Sequence, residues 1–136
     1  VCNLLLAQRI GILDKALVFQ RVNLTRSIYA SREASWDCLY HALMSVKDFL
    51  VTHNLYQRFE RDFVNYCMTF SLWYVNTLTG ESQKLLFNKL QQEWFKEFAV
   101  TEFGGDYFYD QAAWVQFNHL MHCTYEQYIQ LLSLKG

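Results

Sequence analysis

The sequence predicts a mainly α protein: a short N-terminal helix end and a β-strand/loop lead, followed by about five helices in a bundle. Three observations lead there. Proline is absent and only five glycines occur in 136 residues, so there is little material for tight turns. Hydrophobic side chains make up 52% and charged ones 18%, enough for one buried core and too apolar for a disordered chain. From Trp36 onward, apolar residues recur at three- and four-residue steps, the period of a helix face.

Taken in order, Cys2–Ile10 reads as the end of a helix, stopped by Gly11. Ile12–Val22 is short and carries Val18, Phe19 and Val22, which favour a strand. Asn23–Ser31 is polar and turn-like. The first strong helix follows, with Trp36, Leu39, Leu43, Val46 and Leu50 as its stripe, Ser31 or Ser35 as cap, and His53-Asn54 as its end. In the second, Phe59, Phe63, Tyr66, Phe70, Trp73 and Thr77 form the seam expected against a neighbour. Thr79-Gly80-Glu81 punctuates, and Leu86, Leu90, Trp94 and Phe98 make the third stripe. Gly104-Gly105-Asp106 is the clearest break. Asp110 is placed to cap Gln111–Met121, with Trp114, Phe117 and Met121 on one face. Thr124-Tyr125-Glu126-Gln127 has capping-box spacing and opens a last helix through Ser133.

Charge narrows the function. Twelve bases against thirteen acids leave a net charge of -1, unlike the basic excess of a nucleic-acid binder. No apolar run approaches the roughly 18 residues of a membrane span, and no leader peptide is visible. The chain opens Val1-Cys2-Asn3 without Met, and reads as a piece of something longer. The balance hides an asymmetry. Arg9, Lys15, Arg21, Arg26 and Arg32 face only Asp14 in residues 1–32, whereas Lys135 stands against five acids in residues 97–136. The four cysteines share no C-x-x-C spacing. Cys38 and Cys67 fall in helical patterns, where a free thiol packs as a small apolar group, which points to a reducing, cytosolic compartment.

Candidate chemistry is sparse. Cys38 with His41, and His119 with His122 and Cys123, hold the residue types of a zinc site, but lack paired ligand spacing and read better as packing or surface residues. Glu93 with Glu97, and Asp106 with Asp110, read as solvated helix faces and caps rather than a catalytic carboxylate pair. Nucleophile elbows, phosphate loops and dinucleotide fingerprints do not occur. What remains is Arg21–Arg32 (RVNLTRSIYASR): three arginines, two serines, one threonine and one asparagine without an acid. Guanidinium forks beside hydroxyl donors suit a diphosphate, and a plain basic surface loop is the alternative.

The order of these elements resembles the end of the catalytic region in bacterial family-2 glycosyltransferases. Ile10–Asp14 matches their short "ki-x-x-ld" stretch. Phe19, Arg21 and Asn23 match "YYYR-x-N", with Gln20 in place of an aromatic, and Ser27-Ile28 matches "S-[IL]-[ST]". A long helical tail resembling Trp36–Thr77, with Phe-Val-Asn at 63–65 and Phe-Ser-Leu-Trp at 70–73, is common in that group. The resemblance implies that residues 1–31 are the tail end of a catalytic region and 32–136 a C-terminal helical domain. It implies a parent that transfers a sugar from a nucleotide-diphosphate donor to a glycan or lipid-linked acceptor, in the cytoplasm or at the inner face of the membrane. Arg21, Asn23, Thr25, Arg26 and Ser27 would then close over the donor diphosphate. The family's nucleotide-binding sheet, D-x-D metal motif and acidic base pair are not in this chain, so the Mg or Mn ion expected for the parent has no ligands here and the chain alone is expected to be inactive. The rival reading is a non-enzymatic helical interaction domain, in which an exposed aromatic stripe would favour homodimers.

Overall fold

The computed structural model describes residues 33–133, which are mainly helical, with five helices and no strand among the described residues. The expected lead (helix end, strand Ile12–Val22, loop Asn23–Ser31) and the boundary at 31/32 lie outside the described residues.

Helix α1 spans Cys38–Thr52 and buries Leu39, Leu43 and Leu50, with Trp36 and Val46 half-buried, as the stripe predicts. Ser35 is not its cap. Asp37 takes that position without a side-chain bond, and the Ser35 carbonyl accepts instead from the Cys38 N–H at 3.1 Å and from Tyr74 Oη at 3.3 Å. The end at His53-Asn54 is a Schellman motif. Asn54 adopts φ 55°, its N–H donates to Val51 O at 3.0 Å, and the Leu55 N–H donates to Leu50 O at 2.8 Å.

Helix α2, Tyr56–Thr77, is the hub: it packs against α1, the two helices that follow and the turn Val100–Glu102. Its buried face differs from the predicted seam. Val64, Cys67, Met68, Ser71 and Val75 are fully buried and Leu72 nearly so, while Tyr66 and Trp73 are half-exposed and Phe59 and Phe70 half-buried. Of the predicted seam only Phe63 lies in the core. The physical reason is crowding. The arc that faces several neighbours is filled mostly by compact residues, with Phe63 and Tyr74 the rings among them, and the rings at 66, 70 and 73 take the remaining arc.

Helix α3 begins where Thr79-Gly80-Glu81 predicts, at Gly80, whose φ of 60° suits a residue without Cβ. It runs Gly80–Lys89, passes through a π turn at Leu90–Trp94 and closes with an α turn at Phe95–Glu97. The predicted stripe Leu86, Leu90, Trp94 and Phe98 is entirely buried. The π turn adds one residue to the winding, so Trp94 and Phe95, neighbours in sequence, both face inward. The same turn carries Gln91, whose Nε2 donates to the carbonyls of Leu120 at 2.9 Å and Cys123 at 3.1 Å. It thereby satisfies orphan acceptors at the end of the next helix.

That helix, α4, spans Gln111–His122, one residue beyond the predicted end. Asp110 caps it as predicted, its Oδ1 accepting from the N–H groups of Ala112 at 2.9 Å and Ala113 at 3.0 Å. Before it lies a 3-10 turn at Gly105–Tyr107, within the predicted break. A Cβ on Gly105 would sit 2.8 Å from Trp114 Nε1, and that indole is held between Phe108 and Phe117, with ring centroids 4.8 and 5.1 Å away. Helix α5, Tyr125–Ser133, opens with the reciprocal capping box. The Gln127 N–H donates to Thr124 Oγ1 at 3.3 Å, and the Thr124 N–H donates to Gln127 Oε1 at 2.9 Å.

Tyr128 on α5 ties three helices together. Its Oη donates to Asn76 Oδ1 at 2.8 Å and accepts from Gln116 Nε2 at 2.9 Å. Burial raises its pKa from the ordinary 10.0 to about 12. Between those values the unfolded chain loses this proton and the folded one keeps it. The stability Tyr128 contributes is therefore complete below pH 10 and is lost as pH rises through about 12. The loss expected from this group is about 2–3 kcal/mol. Urea titrations across that range, with tyrosinate absorbance followed in parallel, should show a falling midpoint in the wild type and a shallower fall in Tyr128→Phe.

Candidate functional site

The residues assigned to the donor diphosphate, Arg21, Asn23, Thr25, Arg26 and Ser27, lie outside the described residues. Three of the four carboxylates weighed for catalysis, those of Glu93, Glu97 and Asp110, are engaged by the fold. Lys89 Nζ grips Glu93 at 2.7 and 2.8 Å. Tyr40 Oη donates to Glu97 Oε2 at 2.7 Å, and this hydrogen bond, with burial and the carboxylate charge behind it, pushes the phenol pKa up. Asp110 is the cap of α4, and Asp106 offers its backbone carbonyl to Arg61. Glu93 and Glu97 thus lie on exposed helical faces and Asp110 is a cap.

The zinc-type residues form no metal-holding group among the described residues. His41 lies 3.8 Å from Asp37 on α1, and His122 Nδ1 bonds Asn118 O on α4 at 2.8 Å. No group of three His, Cys, Asp or Glu among the described residues could hold a metal ion. His119, His122 and Cys123 line one depression together with Trp114, Val115 and Asn118. Cys67 packs as expected, fully buried, and its burial pushes the thiol pKa strongly up. Cys38 does not: one residue ahead of Leu39, it points off the buried stripe of α1 and is exposed, 3.5 Å from Tyr74 Oη. Cys38, Cys67 and Cys123 are all free thiols.

Helix α2 carries the most organised side-chain arrangements of the described residues. At its N-terminal half, Arg61 and Asn65 hold the 103–110 segment by its backbone. Arg61 Nε donates to Tyr107 O at 2.9 Å, and its guanidinium lies over the rings of Tyr107 and Tyr109, 5.5 and 4.8 Å from their centroids. Asn65 is buried. Its Nδ2 donates to Arg61 O at 2.8 Å and Tyr107 O at 3.2 Å, and its Oδ1 accepts the Tyr109 N–H at 2.7 Å. Tyr109 Oη reaches Asp62 Oδ1 at 2.9 Å, a bond that raises its pKa. On a different arc of α2, Tyr66 stacks on Phe70 and Phe70 on Trp73, with centroids 5.2 and 5.0 Å apart and rings within 25° of parallel.

Sequence reasoning missed both the clamp and the identity of this face. The available signal for the clamp was Asn65, a lone amide inside the apolar run Phe63–Met68, which demands backbone partners when buried. Among the described residues no helix is long and apolar enough to cross a membrane. No protein-family model, no curated protein and no solved structure matches this chain.

Proposed function

We propose that the chain is the C-terminal, mainly helical part of a glycosyltransferase of the family-2 type, which moves a sugar from a nucleotide-diphosphate donor to a glycan or lipid-linked acceptor. The observation that carries this reading is the ordered run from Ile10 to Ile28, in which Arg21, Asn23 and Ser27 fall at the positions that the resemblance requires, directly ahead of a helical tail. In it, Arg21 and Arg26 supply guanidinium donors to the diphosphate, and Asn23, Thr25 and Ser27 supply neutral donors. In this reading the divalent metal and the carboxylate base are not supplied by residues 1–136, which hold no D-x-D.

The helical domain serves this reading as a platform. Glu33 Oε1 accepts from both the N–H and Oγ1 of Thr79 at 3.1 Å, so the chain leaving the basic segment is pinned one residue after Arg32. The test is titration of UDP, UDP-sugars and GDP-sugars, with Mn²⁺, against the full-length protein and its Arg21→Ala variant. Losing one charge-assisted contact should weaken donor binding by about tenfold or more. Unchanged affinity and turnover would make Arg21 structural and remove the donor-loop assignment.

A second reading is a non-enzymatic interaction or oligomerisation domain. The observation that favours it is the half-exposed stack of Tyr66, Phe70 and Trp73 on the outside of the central helix.

A further inference from the structure

Helices α4 and α5 form a hairpin joined by only Cys123 and Thr124. What holds α5 in place lies largely on other elements. Tyr128 Oη meets Asn76 and Gln116, and its ring centroid lies 5.3 Å from that of Phe87. Tyr125 Oη donates to Gln83 Oε1 at 3.0 Å, and Glu126 lies 4.0 Å from Lys84 Nζ. The connection is closed by the Thr124–Gln127 box, with extended backbone at Cys123 (φ -116°, ψ 163°). Neither Gly nor Pro stands anywhere between Gln111 and Ser133.

The hairpin carries a second pattern. Trp114, Phe117, Met121, Tyr125, Tyr128 and Leu132 follow one another by steps of three or four, straight through the connection. At about 100° per residue they fall within an arc of roughly 80° on one continuous helix. In the hairpin each of them is buried or half-buried. The same residues therefore suit two backbones: the hairpin, and a single helix over 111–133 about 35 Å long.

We propose that this chain exchanges α5 with a second copy of itself, opening the hairpin into that continuous helix. Each α5 then seats on the α2, α3 and α4 of the other copy and remakes there the contacts to Asn76, Gln83, Phe87 and Gln116. No new surface is needed, because the groove that receives the second copy's α5 is the one that holds the chain's own. The two forms differ at the connection. The hairpin keeps the capping box and the bonds from Gln91 to the carbonyls of Leu120 and Cys123. The continuous helix replaces them with bonds along its own backbone. A short tether gives the hairpin an advantage on the order of millimolar concentration, so exchange is favoured in concentrated solution or when the cap is weakened. It is independent of the donor chemistry proposed above, since it involves only the described helices.

Light scattering on the complete chain at roughly millimolar concentration tests it, with a reductant present to keep Cys123 a free thiol and hydrogen exchange following α5. Thr124→Ala removes the cap that only the hairpin uses, whereas inserting two glycines between Cys123 and Thr124 opposes the continuous helix. The dimer dissociation constant is expected to fall by about tenfold or more in Thr124→Ala, because each dimer relieves two connections. The glycine insertion should leave only monomer, and amides of residues 125–133 should be as protected in the dimer as in the monomer. If Thr124→Ala loses protection across α1, α2 and α3, Gln127→Ala, which removes the other half of the box, decides. Three results overturn the exchange. One is that neither cap variant dimerises more than the wild type. Another is a dimer that persists undiminished in the glycine insertion, which assigns it to a different surface. The third is a dimer in which residues 125–133 exchange like an unstructured peptide.

Discussion

Phe95→Ala is expected to lower the unfolding free energy by about 3–5 kcal/mol, the range found for large-to-small changes at sealed core sites. Phe95 has no exposed surface and meets Phe117 edge-on, with centroids 5.0 Å apart and planes at 83°. It joins the end of α3 to α4, and its neighbours Phe98 and Leu120 are themselves fully buried, so little can collapse into the vacated space. Domains of this size hold about 5–15 kcal/mol in all, and the loss would take about a fifth or more of it. Urea denaturation should show a much lower midpoint with the same slope. Leu85→Ala, on the exposed side of α3, is the control and should stay within about 0.5 kcal/mol of wild type.

Asn65→Leu is expected to cost about 2–4 kcal/mol by a different route. The isobutyl group fits the volume, but it can neither accept the Tyr109 N–H nor donate to the Tyr107 carbonyl. Arg61 still serves that carbonyl, so the unsatisfied group is the Tyr109 N–H. The effect should therefore be local as well as global. Exchange of the amides in residues 103–110 should accelerate more than that of α3, whereas Phe95→Ala should accelerate both alike. Equal acceleration in Asn65→Leu would mean that Asn65 acts as core filler and not as a clamp.

How well the sequence spoke depended on whether a signal was local. Asp110 and the Thr124–Gln127 box act within one helical turn, and both formed the bonds their spacing predicts. Asn54 and Gly80 are conformational signals of the same short range, and both stand where helices stop or start. The stripes of α1 and α3 were legible because each helix faces essentially one side. On α2 the reading failed, because hydrophobicity alone cannot say which of two apolar arcs is inside. Val64, Cys67, Met68, Ser71 and Val75, with the rings of Phe63 and Tyr74, took the inside, and the rings of Tyr66 and Trp73 were left half-exposed. Ser35 misled for the opposite reason: a good capping residue was available, but its carbonyl was engaged from a distance by Tyr74. The Arg61–Asn65 clamp joins residues more than forty positions apart, and nothing in a short window shows which loop a buried amide will meet.

The π turn has a consequence for how this chain tolerates change in length. Gln92 is exposed, and by the usual reasoning it is among the freest positions to alter. Substituting it is indeed harmless on these grounds, but removing it is not. Deleting one residue from Leu90–Trp94 would tighten the winding to an ordinary α helix and rotate everything after it by about 100°. Phe98 would swing off the core and Glu97 would leave Tyr40 and the Lys47 amine that its carbonyl holds at 2.7 Å. The extra residue is thus a phase-setting insertion. At such a place the identity of the side chain is nearly free while the count of residues is fixed, so shortening the exposed surface there would damage an interior that the deleted residue never touches.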